Sequence, residues 1–147
     1  MGQAGRKSAP RMPELAGGSS MKTDSLARGP VLVVDDDVDI TRFIGAVLSS
    51  RGVPNVSAFD PAQGFAIAQR QHPRLILVDW HMPAGGGALL LRQLRDDAGT
   101  AQIPIIVVTT DSAPNLPAEA AALGARDLIH KPLDPDRLVE AIGEYVR

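Results

Sequence analysis

The chain has 147 residues, 44% of them hydrophobic and 22% charged, with no cysteine and a formal net charge of −2. This length supports one domain with a core of ordinary size, and the lack of cysteine excludes disulfides, thiolate metal sites and cysteine nucleophiles. No apolar run approaches the ~20 residues of a membrane span, and the N-terminus lacks the apolar core of a signal peptide, so we expect a cytoplasmic protein without a membrane partner.

Charge is distributed unevenly along the chain. Residues 1–29 carry five Lys or Arg and two Asp or Glu, a net of +3, whereas the remainder carries ten and fifteen, a net of −5. A net-acidic domain with few aromatic side chains binds nucleic acid poorly, so no nucleic-acid partner is expected. Residues 1–29 are also rich in Gly, Ser, Ala and Pro without apolar periodicity, which predicts a flexible N-terminal tail before an ordered domain over 30–147.

From residue 30 onward, short aliphatic runs alternate with segments whose apolar residues recur at helical spacing. Continuous aliphatic runs are typical of strands that are buried on both faces. The predicted strands are Val31–Val34, Val56–Phe59, Leu75–Val78, Ile103–Val108 and Leu128–His130.

Capping residues mark most of the predicted helix boundaries. Asp37 is placed to cap the first helix, which Gly52 ends. Asp60-Pro61 and Asp134-Pro135 each combine a cap with a first-turn proline, and they open the second and the last helix.

Glycines and prolines interrupt the pattern around the third and fourth helices. Gly85-Gly86-Gly87 predicts a loop, after which Leu89–Leu94 lies on the third helix. Pro114 and Pro117 delay a short, Ala-rich fourth helix that ends at Gly124. Five βα units with short connections predict an α/β, doubly wound, five-stranded parallel sheet with helices on both faces, which is a flavodoxin-like arrangement.

Acidic side chains follow two of the predicted strands. Asp35 and Asp36 come directly after the first strand, and Asp79 ends the third. Open α/β sheets place their ligands at the carboxyl ends of the strands, where these three groups would meet. Because carboxylates repel one another unless a cation lies between them, the pattern predicts a Mg²⁺ site.

The same edge of the sheet holds the other groups that phosphoryl transfer needs. Asp79 is the natural nucleophile, since its carboxylate can accept a phosphoryl group as an acyl phosphate. Thr109 ends the fourth strand and Lys131 follows the fifth, so a hydroxyl and an ammonium group are available to the phosphoryl oxygens. His81 is expected to border this site, and Trp80 to pack against the core or lie at the rim.

These residues carry a family resemblance that covers nearly the whole chain outside the tail. Val31–Arg147 resembles the receiver domain of two-component response regulators, of the stand-alone kind found among chemotaxis regulators. The positions that carry the resemblance are Asp35-Asp36, Asp79 within Asp-Trp-His-Met-Pro, Thr109 and Lys131-Pro132.

The resemblance implies a function in phosphorelay signalling. Asp79 would accept a phosphoryl group from a phosphohistidine on a sensor histidine kinase or a histidine phosphotransfer protein. Asp36, Asp79 and the backbone carbonyl of His81 would bind Mg²⁺, with Asp35 acting mainly through water. Thr109 and Lys131 would reorganise around the phosphoryl group, and the Lys131–Pro132 peptide bond would be cis.

One position departs from the family pattern. The family usually has an aromatic ring three residues before the lysine, where this chain has Leu128. In the family this ring swings inward when the threonine hydroxyl moves toward the phosphate. Leucine can still change rotamer, but it lacks the bulk of a ring and the polar group of a phenol, so the switch coupling is expected to be altered.

No DNA-binding or catalytic module is expected after Arg147. We therefore expect output by phosphorylation-dependent binding to an unidentified downstream protein or by onward transfer of the phosphoryl group. The chain is not expected to be an enzyme, beyond assisting its own phosphorylation and dephosphorylation.

Two alternatives remain open at this stage. In the first, the chain is a phosphatase of the haloacid-dehalogenase type whose nucleophile is Asp35, although Asp39 stands where that motif expects Thr or Val. In the second, it is a degenerate receiver that serves as a docking module independently of phosphorylation. A nucleotide-binding fold is disfavoured, because carboxylates follow the first strand where a phosphate-binding loop needs glycines.

Overall fold

The five predicted strands form one parallel sheet in a computed structural model that describes residues 29–146. The predicted tail, residues 1–29, lies outside the described residues except for Gly29. The strand order is β2-β1-β3-β4-β5, so the sheet is doubly wound and the winding direction reverses between β1 and β3. The strands are β1 (Val31–Val34), β2 (Asn55–Ala58), β3 (Leu75–Asp79), β4 (Ile105–Thr109) and β5 (Asp127–His130).

One helix follows each strand. In the described part of the chain, no helix has the length and apolar character that a bilayer span requires. The helices are α1 (Val38–Ser50), α2 (Pro61–Gln71), α3 (Gly86–Asp96), α4 (Leu116–Ala122) and α5 (Pro135–Val146).

Helices cover both faces of the sheet and create two hydrophobic cores. Alternate strand residues point to opposite faces, so Leu32 and Ile76 enter one core while Val31 and Leu77 enter the other. Helices α2, α3 and α4 cover the first core, and α1 and α5 cover the second. Trp80 belongs to the first core, in agreement with a packing role. The predicted fold class is confirmed.

Local capping signals located the starts of three helices correctly. Asp37 accepts hydrogen bonds from the backbone N–H groups of Asp39 and Ile40 at the start of α1. Asp60 accepts one from Gln63 in the first turn of α2, and α5 begins at Pro135 as its cap-plus-proline signature predicts.

The predicted start of the fourth strand was two residues too early. Ile103 lies in a turn, because its N–H donates to the carbonyl of Thr100. Pro104 has no N–H to donate to the sheet, although its carbonyl accepts from Ile76. Regular pairing therefore begins at Ile105.

The loop predicted at Gly85-Gly86-Gly87 was wrong for two of its three residues, because Gly86 and Gly87 form the first turn of α3. The N-terminus of this helix lies directly on the end of β3. A Cβ on Gly86 would lie 2.7 Å from the carbonyl oxygen of Trp80, and one on Gly87 would lie 2.7 Å from that of Asp79. Gly85 has a φ of 104° and Gly86 of 66°, values that other residues rarely adopt. Glycine is needed here for close approach and not for a flexible loop.

Gly87→Ala is expected to destabilise the fold by about 1–3 kcal/mol, because its methyl group would overlap the backbone of β3. Urea unfolding monitored by circular dichroism measures the loss. Gly99→Ala is the matched control, since its nearest atom is a side-chain oxygen of Asp97 at 3.4 Å. Equal stability of the two variants would contradict the close-approach explanation.

Candidate functional site

The register of the sheet brings the acidic residues together at its carboxyl edge. Val34 pairs with Val78, so Asp35 and Asp79 occupy the next positions on adjacent strands. One carboxylate oxygen from each of Asp35, Asp36 and Asp79 lies within 4.8 Å of the others. Residues 44 positions apart in the chain are thus placed in one cluster by strand pairing alone.

Asp35 is the best-anchored member of this cluster. It is 2% exposed, and both of its carboxylate oxygens have partners. Oδ1 accepts a hydrogen bond from the N–H of Asp37 at 2.9 Å, and Oδ2 lies 2.8 Å from Nζ of Lys131. Asp35 therefore orients Lys131 and has little freedom to act as a nucleophile.

Asp79 is less tightly held. It is 8% exposed; its Oδ2 lies 3.7 Å from Nζ of Lys131, and its Oδ1 accepts a long hydrogen bond of 3.4 Å from the N–H of His81. Burial raises the pKa of the Asp79 carboxyl, and the neighbouring charge of Asp35 raises it further, whereas Lys131 acts in the opposite direction. The charge of Asp79 is thus less well balanced by a neighbouring positive group than the charge of Asp35.

The residues present fit a divalent cation. In their ionised forms, the three carboxylates and the ammonium group of Lys131 carry a net charge of −2, which one divalent ion balances. Hard carboxylate oxygens are the ligands that Mg²⁺ prefers, and Mg²⁺ usually keeps several water molecules. The exposed position of Asp36 leaves the cluster open to solvent on one side, as such a partly hydrated ion requires.

Thr109 and Lys131 complete the edge of the sheet. Thr109 is fully buried and pairs with His130 on β5, so Lys131 emerges beside it. The hydroxyl of Thr109 accepts a hydrogen bond from the N–H of Asp111 at 3.1 Å. The Lys131–Pro132 peptide bond is cis, as the family resemblance implies.

A family model described as the response regulator receiver domain matches residues 31–143. The chain belongs to this family. The match includes both strands and loops of the acidic cluster, together with Thr109 and Lys131.

Curated relatives support the assignment to receiver domains. The chain is 33% identical over 117 residues to the phosphate regulon transcriptional regulatory protein PhoB of Pseudomonas aeruginosa, which covers 80% of this chain and 51% of PhoB. It is 34% identical over 112 residues to protein PilH of the same organism, which covers 76% of this chain and 93% of PilH. The chain thus spans about half of one relative and nearly all of the other.

Solved receiver structures share the fold. The chemotaxis protein CheY4 of Vibrio cholerae aligns with a TM-score of 0.76 and 27% identity, over 80% of this chain and 98% of CheY4. A response regulator receiver protein from Pseudomonas putida aligns with a TM-score of 0.74 and 30% identity, over 80% and 97% of the two chains.

Some of the predicted receiver residues lie in the acidic cluster, and others lie around it. Asp35, Asp36, Asp79 and Lys131 come together, whereas Asp37, the third acidic residue of its run, caps α1 and takes no part. Leu128 lies on β5, half-buried, and packs against the core formed with α2, α3 and α4. Its side chain cannot form a hydrogen bond and therefore cannot couple the site to the receiver surface in that way.

Sequence reasoning missed Asp111 and its contact with the ring of His81. Nε2 of His81 lies 2.7 Å from Oδ2 of Asp111, across the loops that follow β3 and β4. The hydrogen bond from the N–H of Ala113, and then the one from His81, hold the pKa of Asp111 below its ordinary value. The available signal was an Asp two residues before Ala113 at a strand end, a spacing that is typical of a side-chain-to-backbone turn.

Without divalent cations, Asp79→Asn is expected to raise the melting temperature of this receiver at neutral pH by about 2–5 °C. A pKa that is raised on folding means that the folded state binds the Asp79 proton more tightly than the unfolded state does. The stability contributed by Asp79 is therefore fully present below the unfolded pKa, near 4, and is lost as the pH rises through the folded pKa.

Thermal unfolding of both proteins in EDTA, from neutral pH down to about pH 4, measures this effect. The difference in melting temperature should shrink toward the acidic end, where Asp79 is protonated. Asp39→Asn, which removes an exposed carboxylate of α1 outside the cluster, is the control. A difference that stays constant with pH would contradict the assignment to Asp79.

Proposed function

We propose that this receiver domain accepts a phosphoryl group on Asp79, with Mg²⁺ bound, from a phosphohistidine of a sensor histidine kinase or a histidine phosphotransfer protein. The observation that carries the proposal is the cluster of Asp35, Asp36 and Asp79 with the ammonium group of Lys131 placed between two of them. A purely structural role gives no reason to bury like charges at a strand edge, because this arrangement costs stability.

The proposed step is a direct displacement at phosphorus. A carboxylate oxygen of Asp79 bonds to phosphorus, the phosphorus–nitrogen bond breaks, and its electron pair leaves with the imidazole nitrogen of the donor. Lys131 lies 3.7 Å from Asp79 and is placed to balance one equatorial oxygen, while the hydroxyl of Thr109 is available to another. When bound, Mg²⁺ neutralises further negative charge on the phosphoryl group.

The proposed Mg²⁺ ligands are Asp36, Asp79 and the backbone carbonyl of His81. Asp35 is proposed to act through a water molecule, because its Oδ2 already binds Lys131 and its Oδ1 accepts from Asp37. This division explains why one carboxylate of the acidic pair is buried while the other is exposed.

The proposal includes a signalling role without turnover of an external substrate. The domain would assist its own phosphorylation and dephosphorylation, and its output would be the binding of a downstream protein or onward phosphotransfer. A cytoplasmic location is part of the proposal. Neither a nucleic acid nor a membrane is proposed as a partner of this domain.

The phosphatase alternative is disfavoured by the surroundings of Asp35. A nucleophile needs a free oxygen that faces its substrate, whereas both oxygens of Asp35 are engaged and the residue is buried. The docking-module alternative predicts no phosphorylation at all, and the labelling experiment below distinguishes it.

Asp79→Asn is expected to abolish Mg²⁺-dependent labelling by a small phosphodonor such as acetyl phosphate, since the amide cannot form an acyl phosphate. Intact-protein mass spectrometry and peptide mapping measure the label. Asp39→Asn, an exposed carboxylate outside the cluster, should label like the unchanged protein. Label on Asp35 would favour the phosphatase, and no label in the unchanged protein would favour the docking module.

Asp36→Ala is expected to weaken Mg²⁺ binding at least about tenfold. Metal affinity falls by that much even when the residue removed only hydrogen-bonds to a metal ligand. Titration of Trp80 fluorescence measures the affinity, since Trp80 directly follows Asp79 in the chain. Asp39→Ala controls for the loss of one negative charge nearby. An unchanged affinity would remove Asp36 from the ligand set.

A further inference from the structure

A second group of polar contacts joins the loops after β3 and β4 to the last residue of β5. Nε2 of His81 donates to Oδ2 of Asp111 at 2.7 Å, and Nε2 of His130 lies 3.2 Å from the backbone oxygen of Asp111. Phosphotransfer to Asp79 as proposed above assigns no role to these contacts.

Asp111 is also fixed from within its own loop. Its Oδ1 accepts a hydrogen bond from the N–H of Ala113 at 2.9 Å, and its own N–H donates to the hydroxyl oxygen of Thr109 at 3.1 Å. The position of Asp111 therefore depends on where the Thr109 hydroxyl points.

A χ1 rotation that carries the Thr109 hydroxyl toward a phosphoryl group on Asp79 would break this contact. Threonine has few χ1 rotamers, so turning the hydroxyl toward Asp79 moves its oxygen away from the N–H of Asp111. That N–H then loses its partner, and the loop that holds Asp111 loses an anchor. The contact between Asp111 and His81 accordingly belongs to the resting arrangement of Thr109.

We propose that the His81–Asp111 pair is a latch that stabilises the resting state of this receiver and opens when Asp79 is phosphorylated. The latch rests on the proposed function of Asp79. It connects the Thr109 hydroxyl, through polar contacts, to the loops after β3 and β4. The residue three positions before Lys131 on β5 is Leu128, whose side chain has no polar atom.

The size of the effect follows from the exposure of the pair. A contact that exists in only one of two states shifts their equilibrium by its own free energy. The side chains of His81 and Asp111 are 64% and 27% exposed, and pairs of this kind contribute little. Removing the latch should therefore favour the phosphorylated state about twofold to fivefold.

The equilibrium affinity for beryllofluoride, a phosphoryl analogue, at saturating Mg²⁺ tests the latch. Trp80 fluorescence or calorimetry reports the affinity. Asp111→Ala and His81→Ala should each bind beryllofluoride about twofold to fivefold more tightly, and the double variant should bind no more tightly than the better single variant, because each substitution removes the same contact.

The shared direction of the two effects separates the latch from simple electrostatics. Removing the negative charge of Asp111 would by itself favour an anion, whereas His81→Ala removes no negative charge. Asp60→Ala is the control, since Asp60 likewise follows a strand at this edge and accepts from a backbone N–H, but within the described residues it makes no hydrogen bond with Thr109 or His81. Its affinity should be unchanged.

Three results would overturn the latch in a protein that binds beryllofluoride at Asp79: wild-type affinity in Asp111→Ala, weaker binding in His81→Ala, or additive effects in the double variant. If the unchanged protein does not bind beryllofluoride, or Asp79→Asn binds it equally well, the proposed function itself falls and the latch with it. The two failures are therefore distinguishable in one set of titrations.

Discussion

The mutual repulsion of the carboxylates at the end of β1 and β3 is the constraint on which the rest of the site depends. Parallel pairing places Asp35 and Asp79 side by side, and Lys131, 96 residues after Asp35, supplies the balancing ammonium group from the end of β5. This balance exists only when β1, β3, β4 and β5 are all paired in order. The charge balance of the site thus depends on four of the five strands. Burying like charges costs stability, and this cost favours the binding of a cation.

The packing of α3 against β3 serves the same edge of the sheet. Because Gly86 and Gly87 have no side chain, the helix begins directly on the backbone of Asp79 and Trp80. Trp80 can then turn into the core while Asp79 remains at the edge. The site is therefore positioned by two backbones in close contact, and this arrangement resists small displacements of the Asp79 carboxylate better than a long loop would.

Most of the fold and the acidic cluster could be predicted from the sequence because their signals are local. Aliphatic runs indicated the strands, Asp37 and Asp60 indicated helix starts, and the rule that parallel strands end at one edge placed Asp35 near Asp79. The start of α3 could not be predicted in this way, since glycine is common both in loops and at close approaches. The His81–Asp111 contact was also out of reach, because it joins two loops 30 residues apart and depends on side-chain directions that no periodicity encodes.

The features that this receiver shares with its relatives can likewise be separated from those that distinguish it. PhoB and PilH match this chain over most of its length although they differ in size, and CheY4 shares its fold, but a shared fold does not determine which output a receiver has. A difference in output requires residues that respond to the state of Asp79 without belonging to the shared chemistry. In this chain Leu128 cannot respond through a hydrogen bond, whereas Asp111 contacts both the Thr109 hydroxyl and the His81 ring. The loops that follow β3 and β4 are therefore where the state of this receiver is expected to be expressed.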